Sequence, residues 1–326
     1  MLKPSAAVLR MLLAGLLVDF SSAAMAQQIY PTGPIRIIVP YPPGGSNNVV
    51  ARLISQKLNE SWNMQVVVDN RPGGNTIIGS EVLLKSPADG HTMMLTSNSH
   101  VITNLLIPTP YDPLKDFAPV GTIAISENVL VVHPSLPAKT LRDFILLAKS
   151  KPGQLNCASS GAGSPTHLAA VMFEILTDIK MQHIPYKGGG PAIIDLIGGH
   201  VQLHFNTPIN LISHVQSGKL RALAITGEKR FSNLPQVPTF AEASMPAFDL
   251  KTWFGVFVPV GTPKEVIDKL SAEFAKILAA PDFAEKLDKL GMSPMASSPD
   301  KFTALMKSET VTMAKVIKTG KVKLEQ

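Results

Sequence analysis

Short apolar runs alternate with longer segments of helical spacing along most of this chain. Ile35, Ile37, Ile38 and Val39 form the first run, and Val49, Val50, Leu53 and Ile54 then recur at helical intervals within 48–58. The pattern predicts strands at 66–69 and 92–96 with a helix at 76–85 between them. It restarts after Asp116. Strands are expected at 128–132, 155–159, 182–185, 202–206 and 220–225, and helices at 141–149, 166–177 and from 192 to 197. From Pro259 onward the pattern is mostly helical, most clearly at 264–278 and 281–290. Alternation of this kind predicts an α/β protein whose sheets are mainly parallel and flanked by helices.

An internal echo sets the expected domain boundaries. Residues 129–142 and 254–267 each read as an apolar strand, a proline corner and a helix start. Two strands that both cross between domains would make the first domain discontinuous, at 27–125 plus 255–326, with the second at 126–254. Two crossings leave a cleft that can hinge.

Four glycine-rich loops follow four of the expected strands: 42–48, 72–76, 160–166 and 186–191. Ligands of open α/β sheets bind beyond the carboxyl ends of the strands, where such loops gather. A strand, a glycine turn and a helix start offer free amide N–H groups to an anion. Residues 42–48, Pro-Pro-Gly-Gly-Ser-Asn-Asn, are the clearest case. None of the loops matches a Walker phosphate loop or the dinucleotide fingerprint.

Composition narrows the function classes. At 326 residues the chain suits two domains with sizeable cores. The formal charge is +6, but the basic residues are scattered, which argues against nucleic-acid binding. Acidic solutes suit a mildly basic protein better. Lys3, Arg10, the apolar run 11–18 and Ala24-Met25-Ala26 read as a signal peptide at 1–26, removed after Ala26. Its removal takes Lys3, Arg10 and Asp19 and leaves +5. The mature protein is therefore expected outside the inner membrane. The single cysteine, Cys157, makes no internal disulfide and reads as a small core residue.

Catalytic machinery is not evident. The sequence contains no Gly-x-Ser-x-Gly elbow, no His-Glu-x-x-His and no Cys/His cluster of metal-ligand spacing. No enzyme activity, cofactor or metal is expected. Among single residues, His167 is either a hydrogen-bond donor to a carboxylate or a partly buried structural histidine. Tyr186 and Lys187 stand beside Gly188–Gly190, where a hydroxyl and an ammonium would close over an anion; Lys187 reads equally well as a solvated lysine. His183, His200 and His204 read as structural or surface residues.

Seven segments together carry a family resemblance. They are Ile37-Ile-Val-Pro-Tyr-Pro-Pro-Gly-Gly-Ser, Asn70-Arg-Pro-Gly-Gly-Asn, Tyr111-Asp-Pro-Leu-Lys-Asp-Phe, Tyr186-Lys-Gly-Gly-Gly-Pro-Ala, Gly218-Lys-Leu-Arg-Ala, Leu234-Pro-Gln-Val-Pro-Thr and Gly261-Thr-Pro-Lys. With them the chain resembles the Bug-type solute-binding proteins of tripartite tricarboxylate transporters over nearly its whole mature length. The resemblance implies a two-domain, type II-like periplasmic binding-protein fold that closes on a small carboxylate. It implies membrane transporter subunits as partners, and a monomer. Carried over by motif, the ligand site would take Tyr41, Gly45, Ser46, Asn47, Asn48 and Asn75 from the first domain. From the second it would take Ser160, Gly161, Ser164, Thr166, His167, Tyr186 and Asn206. The polar segment after the third strand adds Asn98 and Ser99. Where the family often has aspartate, this chain has Asn48 and Asn206. Losing two negative charges disfavours a ligand ammonium and relieves repulsion of a dianion. A mono- or dicarboxylate without an amine, aromatic acids included, is the expected ligand. A ligand sensor feeding a membrane kinase is the alternative with the same fold.

Overall fold

The computed structural model describes residues 30–248 and 250–322; the expected signal peptide lies outside the described residues. The chain enters through β1 (Ile35–Val39), α1 (Ser46–Trp62), β2 (Val66–Asn70), α2 (Ile77–Leu84), β3 (Thr92–Ser97) and α3 (Ser99–Leu106). It continues through β4 (Phe117–Glu127), β5 (Val129–Val132), α4 (Leu141–Ser150), β6 (Asn156–Ser159), α5 (Pro165–Thr177) and β7 (Gln182–Pro185). Next come α6 (Gly189–Ile197), β8 (Leu203–Asn206), α7 (Ile212–Gln216), β9 (Arg221–Ile225) and β10 (Lys251–Pro259). The last elements are α8 (Lys264–Ala279), α9 (Pro281–Lys289), β11 (Met292–Pro294) and α10 (Pro299–Thr319).

These strands form two sheets, ordered β11-β4-β10-β3-β1-β2 and β7-β6-β8-β5-β9. In the first, β1 lies between β2 and β3 and pairs with both in parallel. Ile35, Ile37, Ile38 and Val39 are all buried, as a run flanked on both sides requires. Helix α1 covers this strand with Val50, Ala51, Ile54 and Leu58, all fully buried and helically spaced.

The expectation of mainly parallel sheets needs correcting, because both are mixed. Strand β10 runs antiparallel to β3 and β4, and β11 antiparallel to β4. In the second sheet β6 is parallel to β7 and β8, while β5 is antiparallel to β8 and β9. The cause is the crossing. Strand β4 ends at Glu127 and the chain passes directly into β5 of the other sheet, with no helix to turn it back. Strand β10 returns from beyond β9 and pairs with β4 over nine residues.

The two crossings are tied to each other. The Asn128 N–H donates to Thr226 Oγ1 at 2.8 Å, and Asn128 Nδ2 donates to the Leu250 carbonyl at 2.9 Å. Asn98 accepts the Trp253 N–H at 3.0 Å and donates to the Lys251 carbonyl at 3.2 Å. Helix α10 packs against β4, α3 and α5, and so touches elements of both sheets. Its Phe302 ring lies edge-on to Trp253 and tilts onto Phe257, each at 5.1 Å. A Cβ at Gly255 would lie 2.2 Å from the Phe302 ring, so glycine is required there by close approach.

Local signals behave as their chemistry predicts. Helix α4 opens with a capping box: Thr140 accepts from the Asp143 N–H at 3.1 Å, and Asp143 accepts from the Thr140 N–H at 3.0 Å. Such a cap contributes about 1 kcal/mol. Cys157 is buried in β6, as a small core residue should be. Among the described residues no helix is long and apolar enough to cross a membrane.

Candidate functional site

Two helix starts without side-chain caps define the neighbourhood of the glycine loops. At α1 the N-cap is Gly45, and the first helical bond runs from the Val49 N–H to the Gly45 carbonyl. The amides of Ser46, Asn47 and Asn48 therefore lack partners within the helix. At α6 the N-cap is Gly188, again without a side-chain cap, so Gly189 and Gly190 present their N–H groups. By contrast Ser164 caps α5, accepting from the His167 N–H at 3.3 Å.

Side chains join the two sheets around these helix starts. Ser46 Oγ shares a 2.7 Å hydrogen bond with Thr207 Oγ1 and accepts from Asn210 Nδ2 at 2.9 Å. Asn75 Nδ2 donates to the Ala162 carbonyl at 2.9 Å. A Cβ at Gly188 would lie 3.5 Å from Pro42 Cγ, and one at Gly161 3.2 Å from Asn75 Oδ1. The loops around 42–48, 75, 160–163, 188–190 and 206–210 thus meet in one place.

Asn206 is held by a chain of defined polarity. His204 donates through Nδ1 to the Ala158 carbonyl at 2.8 Å, which fixes its tautomer. Its Nε2 then accepts from Asn206 Nδ2 at 3.0 Å. Asn206 Oδ1 accepts from the Thr207 N–H at 2.8 Å and from Asn210 Nδ2 at 3.1 Å. One Asn206 N–H remains beyond the His204 bond. A Cβ at Gly189 would lie 2.8 Å from Asn206 Nδ2 and 3.4 Å from Ser160 Oγ, so the start of α6, Ser160 and this amide are neighbours. Burial pushes the His204 imidazole down to about 4, against a weaker opposing pull from its bond to Ala158. It is neutral near pH 7.

Several residues read from the sequence turn out to be engaged in holding the loops. Asn48 donates to Asn70 Oδ1 at 2.9 Å and accepts from the Gly44 N–H at 3.3 Å and Arg52 Nε at 3.2 Å. Asn70 in turn donates to the Tyr41 carbonyl at 2.9 Å, so Asn48 shapes the 41–45 turn. The Tyr41 hydroxyl bonds Ser97 Oγ at 2.9 Å and Thr96 Oγ1 at 3.2 Å. Asn98 is engaged with β10 and donates to Glu309 Oε1 at 2.7 Å. Ser99 opens α3. Thr166 accepts the Ser160 N–H at 2.8 Å and shares a bond with Ser164 Oγ at 3.0 Å. His167 Nδ1 accepts the Gly163 N–H at 3.0 Å, and its ring stacks on His183 at 3.6 Å. Burial, with a smaller contribution from His183, pushes His167 down to about 3.

The Tyr186 hydroxyl is engaged as well, donating to Asp195 Oδ2 at 2.6 Å on its own side of the loop. Burial, then the hydrogen bond and charge of Asp195, push the phenol up to about 12. Tyr186→Phe is therefore expected to change ligand affinity by less than about threefold. It should cost about 1 kcal/mol of stability, from leaving Asp195 without its donor. Calorimetric titration beside a denaturant melt separates the two effects.

Thr207 and Asn210 belong to this place and lie in none of the glycine-rich loops. The loops themselves supply mostly neutral groups, from Gly, Ser, Thr and Asn, while Arg52, Asp195 and His204 stand behind them as partners of Asn48, Tyr186 and Asn206. Among the described residues no group of three His, Cys, Asp or Glu is placed to hold a metal ion. What the arrangement offers is amide N–H groups at two helix starts, hydroxyls and carboxamides. Each helix start favours an anion by roughly 0.3–1 kcal/mol, and by up to about 2 kcal/mol where partly buried.

Comparison with known proteins agrees with this chemistry. A family model described as "Tripartite tricarboxylate transporter family receptor" matches residues 50–322. Protein BugT of Bordetella pertussis is 36% identical over 307 residues, covering 93% of this chain and 94% of BugT. The solved structure of R. palustris Rpa4515 with adipate is similar at a TM-score of 0.87 and 34% identity, covering 90% of this chain and 99% of the other. MatC from Rhodopseudomonas palustris, with bound malate, is similar at 0.82 and 27% identity, covering 88% and 100%. Proteins of this family are solute-binding receptors and not enzymes. With a match over most of its length, the chain belongs to the tripartite tricarboxylate transporter receptor family and is a Bug-type solute-binding protein.

Proposed function

We propose that this protein is a periplasmic receptor for a mono- or dicarboxylate without an amine, aromatic acids included. It delivers that ligand, as a monomer, to the membrane subunits of a tripartite tricarboxylate transporter. Two lobes, 27–125 plus 255–326 and 126–254, close on the ligand, after a signal peptide has been removed behind Ala26. The observation that carries this reading is the meeting of two uncapped helix starts, at Ser46–Asn48 and Gly189–Gly190, in a place lined by neutral donors. A carboxylate there gains from amide N–H groups and helix dipoles. An ammonium would meet the same positive helix ends with no carboxylate to pair with. The adipate and malate held by the two similar structures are of this chemical class. The bonds from Ser46 to Thr207 and Asn210, and from Asn75 to Ala162, suit a closed form that a transporter would recognise. No observation favours the sensor alternative.

A thermal-shift screen against organic acids, followed by calorimetry, tests the proposal. Succinate-like or benzoate-like acids are expected to raise the melting temperature. Tight binding of aspartate or glutamate, with none of the amine-free acids, sinks it.

A further inference from the structure

Asn47 is the exception among the three polar residues that open α1. Ser46 bonds Thr207 and Asn210, and Asn48 bonds Gly44, Arg52 and Asn70. Asn47 is only 9% exposed, yet its Oδ1 is buried without a hydrogen-bond partner. Val50, Ala51, Ile54 and Leu58 follow it at helical spacing, and all are fully buried against the first sheet. Asn47 therefore continues the inward face of α1 at its open tip. That tip lies at the carboxyl ends of β1 and β3, where the ligand loops gather.

An acceptor buried without a donor is costly, and it stands beside amides that favour an anion. A ligand that satisfies both carries a carboxylate and, next to it, a neutral O–H. We propose that Asn47 is a specificity-determining residue that reads a hydroxyl on the ligand, so that the receptor prefers hydroxycarboxylates to their deoxy counterparts. The inference rests on the carboxylate-receptor reading above and narrows its ligand class. An ammonium is the poorer partner. It brings three donors to one carboxamide oxygen and a positive charge to two positive helix ends.

Titration of the purified protein with acids that differ by one hydroxyl tests this: malate against succinate, lactate against propionate, and mandelate against phenylacetate. In at least one pair the hydroxy acid is expected to bind about tenfold or more tightly. In Asn47→Ala that preference should fall to within about threefold. Asn47→Leu, closer in volume, repeats the measurement should the alanine variant fold poorly. Equal affinities within every pair overturn the inference and leave the receptor reading standing; so does a preference that survives in both variants. If no carboxylate of any pair binds, the receptor reading fails and this inference falls with it.

Discussion

Asn206→Asp is expected to weaken carboxylate binding by about a hundredfold or more while leaving the protein folded. Asn206 Nδ2 donates to His204 Nε2 at 3.0 Å, and His204 cannot donate back, because its proton sits on Nδ1 against the Ala158 carbonyl. Aspartate would set an oxygen against that lone pair and lose the N–H left over for a ligand. It would also add a negative charge beside the start of α6. Two like charges about 5 Å apart repel by roughly 3 kcal/mol at an effective dielectric near 20, which alone is about two orders of magnitude in affinity. The same charge would welcome an ammonium. The variant should therefore lose affinity for succinate-like acids and gain relative affinity for aspartate or glutamate. Calorimetry of both ligand types on both proteins checks this. If amine-free acids bind Asn206→Asp within about tenfold of the parent, Asn206 does not face the ligand.

Asn48 gives the contrast. The family resemblance pairs it with Asn206, because in both places it leads one to expect aspartate. Their environments differ. Asn48 Oδ1 accepts from Gly44 and from Arg52 Nε, work that a carboxylate also does, and only the bond to Asn70 needs the amide. The acceptor that needs the Asn48 amide lies 22 residues away, whereas Asn206 donates to His204 within its own strand. Spacing along the chain does not carry that information.

Elsewhere legibility followed the range of the interaction. Strands flanked on both sides are rich in apolar residues, so β1 and β5 are visible as hydrophobicity. The glycine loops were visible because helix starts and tight turns need particular residues nearby. Strand β4 escaped, since Phe117–Glu127 includes Pro119, Gly121 and Thr122 and reads as broken. Its pairing with β10, more than a hundred residues on, supplies what the local pattern lacks, and the register shifts of that ladder absorb the irregularity. The antiparallel half of each sheet was hidden for the same reason, because strand direction is set by the crossing and not by composition. Thr207 and Asn210 were missed too. They matter only because Ser46 arrives from the other sheet.

The buried histidines make acid the protein's weak side. His100 and His204 are fully buried, and burial pushes each down to about 4, in both cases against a weaker opposing pull from a backbone carbonyl. His100 lies among Tyr111, Phe117 and Phe257, with Nε2 on the Pro113 carbonyl at 3.2 Å and Nδ1 without a partner. In the unfolded chain these imidazoles take protons near 6.5, so between pH 6.5 and 4 the unfolded state binds more protons than the folded one. Their contribution is present above about pH 6.5 and is lost as pH falls toward 4. Each loses on the order of 3 kcal/mol, against a total stability of roughly 5–15 kcal/mol. His167 and His183, pushed down to about 3 and about 4, act in the same direction. Burial raises the Glu174 and Glu309 carboxyls, which oppose this by favouring the folded state as pH falls. Urea unfolding at pH 7 and pH 4.5 is expected to show a loss of several kcal/mol at the lower pH. His100→Leu should flatten the slope by about 1.4 kcal/mol per pH unit near pH 5, the signature of one fewer proton taken up on unfolding. A slope that is flat in the parent, or unchanged in His100→Leu, removes the argument. Protonating His204 also ends its acceptance from Asn206, so ligand affinity should hold until pH falls to about 4, where folded His204 takes its proton, and drop there. Of the two residues, only His204 links acid sensitivity to the site.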